Sequence, residues 1–160
     1  MDFTIRPVLP RDTAALAAAL RNVLNEHDVP RVGTAYSDPH LDDLYTHHQA
    51  PRSAYFVIEM DGEVVGGSGV GPLENQSANI AELQKMYFLP QARGIGAGAA
   101  MMKLCLDTAA GFKYAKIYLE TMHNMKSAQR LYQRSGFEYI PEALGNTGHY
   151  SCPVHMIRDL

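Results

Sequence analysis

The chain has 160 residues, 46% hydrophobic and 19% charged, the profile of one ordinary globular domain able to bury a core without staples. A formal charge of −3 gives no reason to expect nucleic acid or an anionic membrane as partner. Two cysteines, Cys105 and Cys152, in no metal-like spacing, and the lack of an apolar leader or membrane-length apolar run point to a reduced, cytoplasmic protein.

Phe3, Ile5 and Val8 alternate with polar residues or prolines and predict a short first strand. Asp12 is placed to cap a helix whose Leu16, Leu20, Val23 and Leu24 form one apolar stripe. The polar, turn-rich stretch Asn25–Arg52 holds a short helix over His40–His48. Ala54–Met60 and Glu63–Val70 form a hairpin around Asp61-Gly62, the chemistry favoured in a tight two-residue turn. Ile80–Phe88 is the next strand, followed by a helix over Gly96–Ala110 with Gly111 as its stop. Lys116–Thr121 is a strand, Lys126–Ser135 a helix ending at Gly136, and the tail offers strands near Phe137–Ile140 and Tyr150–Ile157. Neither a linker nor a repeat interrupts this order, so residues 1–160 form a single domain.

The most informative stretch is Met86–Met102, MYFLPQARGIGAGAAMM. An apolar strand passes through Pro90 into a loop with Arg93, Gly94, Gly96 and Gly98, and the loop opens into an Ala/Met-rich helix. Glycines leave backbone N–H groups uncovered where the helix dipole is positive, and arginine adds a charge, which suits a pyrophosphate. A P-loop is excluded because no Gly-Lys-Ser/Thr follows. A dinucleotide fold is also excluded, since the glycines are spaced by two, position 99 is alanine and the unit is not repeated.

The register that fits is Arg93-x-x-Gly96-x-Gly98. With it goes a second motif in KSAQRLYQRSGFEYI: Ser127, Ala128, Leu131, Tyr132, Gly136 and Phe137. Together these residues resemble the GNAT superfamily of N-acetyltransferases, with its Gln/Arg-x-x-Gly-x-Gly/Ala loop and its A-x-x-x-Tyr-x-x-x-Gly-Phe helix and turn. The match covers roughly Ile80–Tyr139. It implies an α/β (α+β) fold, the GNAT acyl-coenzyme A N-acyltransferase fold, with a mixed central sheet of about six or seven strands flanked by helices.

The resemblance also implies acetyl-coenzyme A as cosubstrate. Its pyrophosphate would lie on the loop of Arg93, Gly94, Ile95, Gly96, Ala97 and Gly98. Its pantetheine amides would pair with the backbone of Met86, Tyr87 and Phe88, along an edge where that strand splays from its parallel neighbour. An amine with a pKa of about 10.4 must lose a proton before it attacks, and the departing thiolate gains from an acid. Tyr132 matches the family's proton donor. Glu82 is first choice for the base, with a solvent-facing or Lys85-bridging carboxylate as the plain alternative, His123 and Glu120 in reserve, and a water chain able to replace them all. The family's cofactor-contacting asparagine would fall at position 125, here methionine, so Asn124 is the shifted candidate.

The seven histidines show no H-x-x-x-H or CxxC pairing, so no metal is expected. Tyr36, His149, Cys152 and His155 are weak candidates for contacts to an amine acceptor, small molecule or peptide. The resemblance sets the tail strand at a sheet edge, which predicts a homodimer. An enzyme transferring acetyl to a primary amine through a ternary complex, and a non-catalytic acyl-coenzyme A sensor or partner subunit, both fit the loop. The retained Tyr132 and Glu82 favour the enzyme.

Overall fold

The computed structural model describes residues 2–160. Its strands are β1 (Thr4–Pro7), β2 (Ala54–Met60), β3 (Glu63–Pro72), β4 (Ile80–Phe88), β5 (Lys116–Thr121), β6 (Glu138–Ile140) and β7 (Val154–Asp159). Its helices are α1 (Thr13–Glu26), α2 (Leu44–His47), α3 (Ala97–Gly111) and α4 (Lys126–Arg134). The strands make one mixed sheet of order β1-β2-β3-β4-β5-β7-β6, in which only β4 and β5 run parallel.

Period-two alternation divides the core. On β2, Ile58 and Met60 face the layer of α3, whereas Tyr55 and Val57 face α1 and α2. On β5, Ile117 and Leu119 join the α3 layer with Met101, Met102 and Cys105. That leaves Tyr118 and Glu120 on the opposite face of the sheet, where the polar site lies. The α1 stripe is as expected: Leu16, Leu20, Val23 and Leu24 are all buried.

The hairpin turn is also as expected, with Asp61 and Gly62 both left-handed at φ 50° and 80°. The stops of α3 and α4 differ. In α4, Gly136 (φ 91°) closes the helix, with Phe137 N–H bonded to Tyr132 O (3.0 Å) and Gly136 N–H to Gln133 O (3.0 Å). The Tyr132 and Phe137 rings then meet edge-on with centroids 6.0 Å apart, which gives the Tyr-to-Phe spacing a structural cause. In α3, Gly111 is still helical. The left-handed residue is Lys113 (φ 69°), and Tyr114 N–H reaches back to Ala109 O (3.2 Å).

Two further expectations are corrected. Asp12 makes no side-chain cap. Its carboxylate, 3% exposed, takes both ends of the Arg6 guanidinium (2.8 and 2.9 Å) and the Leu9 N–H (2.7 Å). The tail strand runs over Val154–Asp159 and lies between β5 and β6, so it is not an edge. The premise for a homodimer through an exposed tail strand is thereby removed: the edges are β1 and the three-residue β6.

β4 departs from regular geometry in a way that builds the site. Its pairing with β3 shifts between Gly67↔Tyr87 and Gly69↔Gln84, so Lys85 and Met86 both oppose Ser68. Lys85 has φ 50°. This bulge explains why the apolar positions run Ala81, Leu83 and then Met86, and it turns Lys85 to the polar face with Glu82 and Gln84. Pairing with β5 stops at Glu82↔Tyr118, which leaves Met86–Phe88 without a strand partner on that side.

The Arg6–Asp12 pair links β1 to the start of α1. Its bonds hold the Asp12 pKa below its ordinary value, against burial, so its stabilisation is present above the unfolded carboxylate pKa and is lost as pH falls through the depressed folded value. Asp12→Ala should cost about 2 kcal/mol at pH 7 by urea denaturation, with the deficit shrinking below about pH 4.

Candidate active site

Two cavities flank successive parts of β4. The first, about 420 Å³, is lined by Met86–Phe88, the glycine loop and one side of α4. Gly94 (φ 73°) and Gly96 (φ 87°) adopt left-handed backbone, and a Cβ built on either would meet nothing within 4 Å. They are glycine because of the backbone turn, and the space above them is open. No side chain caps α3. The N–H groups of Ala97, Gly98 and Ala99 precede its first helical bond, from Ala100 N–H to Gly96 O (3.1 Å), and so suit an anion. Gly98 is a packing glycine, its Cβ position 3.4 Å from Leu131 and from Phe88. Ala97 is fully buried and the partly buried Ile95 packs against the core; neither side chain lines the cavity.

Arg93 stands at this cavity with its charge already partnered. Its guanidinium makes two bonds to Glu26 (3.1 and 2.6 Å), and its Nε donates to Phe88 O (2.9 Å). It therefore ties the loop to the end of α1. Asn124 lines the same cavity, yet its amide donates to His27 O (2.6 Å), a second tie to α1. Tyr132 is buried at the wall, and among the described residues no protein group bonds its hydroxyl. Burial raises the phenol pKa well above its ordinary value, so at neutral pH it is a proton-bearing donor facing the cavity.

The second cavity, about 600 Å³, is lined by Glu82, Gln84 and Lys85 of β4, by Asp38 and its neighbours after α1, and by Asn146, Thr147 and His149 before β7. The three walls are stitched together: Ser151 N–H donates to Gly33 O (2.8 Å), Asn146 N–H to Glu74 O (2.8 Å), and His149 Nε2 lies 2.7 Å from Asp38 Oδ2. Lys85 Nζ reaches the same Asp38 oxygen at 2.7 Å, so Lys85 bridges to Asp38 and not to Glu82. Burial opposes it, but His149 and Lys85 hold the Asp38 pKa at about 2. The stacked rings of His40 and His47 (centroids 3.8 Å apart) also line this space, and burial with two neighbouring imidazoles lowers His47 to about 4.

At the inner end Glu82, Glu120 and His149 converge, with donor atoms within 4.8 Å of one another. Gln84 Nε2 donates to Glu82 (2.9 Å), and His48 Nε2 lies 2.7 Å from Gln84. Glu120 accepts from the hydroxyls of Tyr118 (2.6 Å) and Thr147. Burial raises Glu82, with Glu120 adding to the rise and His149, Gln84 and Lys85 opposing it. Two carboxylates and an imidazole, each ordered by its own bonds, form an acid–base cluster. Between the cavities stands Tyr87: burial raises its phenol, and its ionisable neighbours run from Cys152 and Tyr132 to Asp38 and Glu82.

The other sequence candidates separate. His149 is central, and His155 stands one step behind, 3.3 Å from the Tyr118 hydroxyl. Cys152 has its thiol pushed up to about 12 by burial and the nearby carboxylates. Tyr36 lies between Arg21 and Arg31 and lines neither cavity. His123 lines neither and offers its backbone carbonyl to Gln129 (3.2 Å). Sequence reasoning missed Lys85 and Asp38. The break in alternation at Lys85 is a readable signal of the bulge, whereas nothing in the loop sequence singles out Asp38.

The family model described as "Acetyltransferase (GNAT) family" matches residues 19–137. The chain is 41% identical over 157 residues to "Uncharacterized N-acetyltransferase YjgM" of Escherichia coli K12, spanning 98% of this chain and 94% of that protein. A GNAT-family acetyltransferase structure from Staphylococcus aureus superposes with a TM-score of 0.88 at 19% identity, covering 99% of both chains. N-acetylglutamate synthase from Neisseria gonorrhoeae, complexed with coenzyme A and N-acetyl-glutamate, gives 0.74 at 17% identity over 100% of this chain and 35% of its own.

The two buried phenols predict unequal effects on stability. Tyr132→Phe should leave urea denaturation within about 0.5 kcal/mol of wild type, because no protein bond is lost. Tyr118→Phe, which strips a donor from Glu120 and an acceptor from Leu144 N–H, should cost about 1–3 kcal/mol.

Proposed function

Since the chain belongs to the acetyltransferase (GNAT) family and is an N-acetyltransferase by that membership, we propose that it moves acetyl from acetyl-coenzyme A to a primary amine within a ternary complex. The observation that carries the reading is that one strand lines both cavities, Met86–Phe88 facing one and Glu82, Gln84 and Lys85 the other. In this reading the pyrophosphate rests on the uncapped start of α3. The pantetheine arm runs along the unpaired edge of Met86–Phe88, and the thioester lies near Tyr87 and Tyr132.

The acceptor enters the second cavity as an ammonium. Glu82 takes one proton from it, directly or through one water, leaving the nitrogen lone pair free to attack the thioester carbonyl. A C–N bond forms, the tetrahedral intermediate collapses with loss of the C–S bond, the Tyr132 hydroxyl supplies the proton that the thiolate takes up, and the second proton that the nitrogen sheds on becoming an amide returns through water to the tyrosinate. Arg93 keeps the loop in place from its bonds to Glu26 and Phe88 O, a lesser role than that of the loop amides. Asn124 contributes by holding the cavity wall to α1. Both cavities are built by one copy of the chain, so the reading needs no homodimer. Free cysteines at positions 105 and 152 accord with a cytoplasmic setting.

Thiol release from acetyl-coenzyme A, measured against a panel of amines, tests the transfer; binding of the cosubstrate without release for any amine would favour the sensor. Tyr132→Phe should lower kcat by about 10²–10⁴-fold with cosubstrate affinity unchanged. Gly96→Val places a branched side chain on a left-handed residue at the open anion site. It should abolish binding by calorimetry, and equal affinity in this variant would refute the loop assignment.

A further inference from the structure

We infer that the Asp38–His149 pair supplies a fixed cation beside Glu82 and Glu120, and that this cation keeps Glu82 ionised as the acceptor of the amine proton. The inference rests on Glu82 being the base, and it assigns His149 as a positioning residue that acts through that carboxylate.

The argument begins with charge. Glu82, in the cavity wall, and Glu120 behind it converge with His149, their donor atoms within 4.8 Å of one another, and like charges in a partly buried site oppose each other's ionisation. Lys85, the nearest lysine, has a side chain only 7% exposed and gives its ammonium to Asp38 at 2.7 Å. Of the two imidazoles beside Glu120, His155 at 3.7 Å and His149 at 3.6 Å, His149 is the one that converges with both Glu82 and Glu120. Its Nε2 is fixed by Asp38 Oδ2 at 2.7 Å, and its Nδ1 faces Glu120 Oε1 at 3.6 Å. An imidazole between two carboxylates has an acceptor opposite each nitrogen, the arrangement that favours protons on both. Burial alone would lower His149, yet the bond and charge of Asp38 and the charge of Glu82 raise it above its ordinary value.

The surrounding groups pull both ways on His149, Asp38 and Glu82 raising it and the Lys85 ammonium lowering it. From β4 come Glu82 and Lys85, and from β5 Glu120 with the Tyr118 hydroxyl donating to it. From β7, His155 Nδ1 stands 3.7 Å from the other oxygen of Glu120. Cys152, pushed up to about 12, remains a neutral thiol at physiological pH. His40 and His47 line the outer cavity, and His47, lowered to about 4, adds no charge near neutrality. Glu74 lines the far wall. Asp38 comes from the segment after α1 and His149 from the segment before β7, so the pair closes the cavity and sets its charge with one bond. Glu82 therefore becomes a competent base only when both walls are in place.

The test is the pH dependence of kcat/KM together with the titration of His149. In His149→Gln the acid limb should move up by about one pH unit, giving about a tenfold loss on the limb and recovery toward wild type at alkaline pH. His149→Lys, which retains a cation, should return the limb toward its wild-type position. A loss equal at every pH would overturn the inference, as would chelator-sensitive activity restored by zinc, which would make the cluster a metal site. Independently of turnover, nitrogen NMR should show wild-type His149 titrating above the ordinary imidazole value of about 6.5 and falling in Asp38→Asn. A wild-type value below it would overturn the inference even in an active enzyme. Absence of thiol release from wild type would instead reject acetyl transfer, with the NMR measurement still deciding the pair.

Discussion

Tyr55 lies flat across β3, its ring where side chains at Gly67 and Gly69 would otherwise stand, since a Cβ built on either glycine would come within 2.6 Å of the ring. From there its buried hydroxyl donates to the carbonyl of Lys85 at 2.8 Å, holding the bulge of β4 by a bond from across the sheet. One such bond contributes about 1 kcal/mol, but it decides geometry. With the bulge, Lys85 joins Glu82 and Gln84 on the polar face while Met86 returns to the core. Without it, strict alternation would carry Lys85 into the layer of Ile58, Leu83 and Met101. The glycine-rich run of β3 thus has a purpose that its own strand does not reveal: it makes room for the ring that pins the neighbouring strand.

The site divides by the kind of element that builds it. The first cavity is made by regular structure, the strand edge, the start of α3 and the side of α4, and its chemistry is mostly backbone. Loops make much of the second, and its chemistry is side-chain charge. Asp38 is the point where these loops meet, one oxygen receiving both Lys85 and His149. Desolvating that many charges is tolerable only because each has a partner, and removal of any one leaves another exposed to the cost of burial.

This division also governs what the sequence disclosed. Helices and strands were readable from local pattern: the Leu16–Leu24 stripe, the alternation of Phe3 and Ile5 and the Asp61-Gly62 turn all have local causes. So did the glycine loop and Tyr132, whose spacing to Gly136 and Phe137 is dictated by a helix stop. Long-range pairings had no local trace. Arg93 reads as a free charge but meets Glu26, 67 positions away, and Asn124 reads as a ligand contact but meets His27. His149 and Asp38 are 111 positions apart in segments without periodicity. Even Asp12, sound by local rules as a cap, was claimed by Arg6 from a different element.

Because β4 lines both cavities, under the proposed function it would act as a ruler between two ligands. Their separation is fixed by covalent geometry and sheet hydrogen bonds. A molecule that joins a coenzyme A-like half to an acceptor-like half through a spacer of matching length would present its second half at high effective concentration once the first is seated. Its affinity would depend sharply on spacer length, and that dependence would measure the distance along the strand at which the two ligands meet.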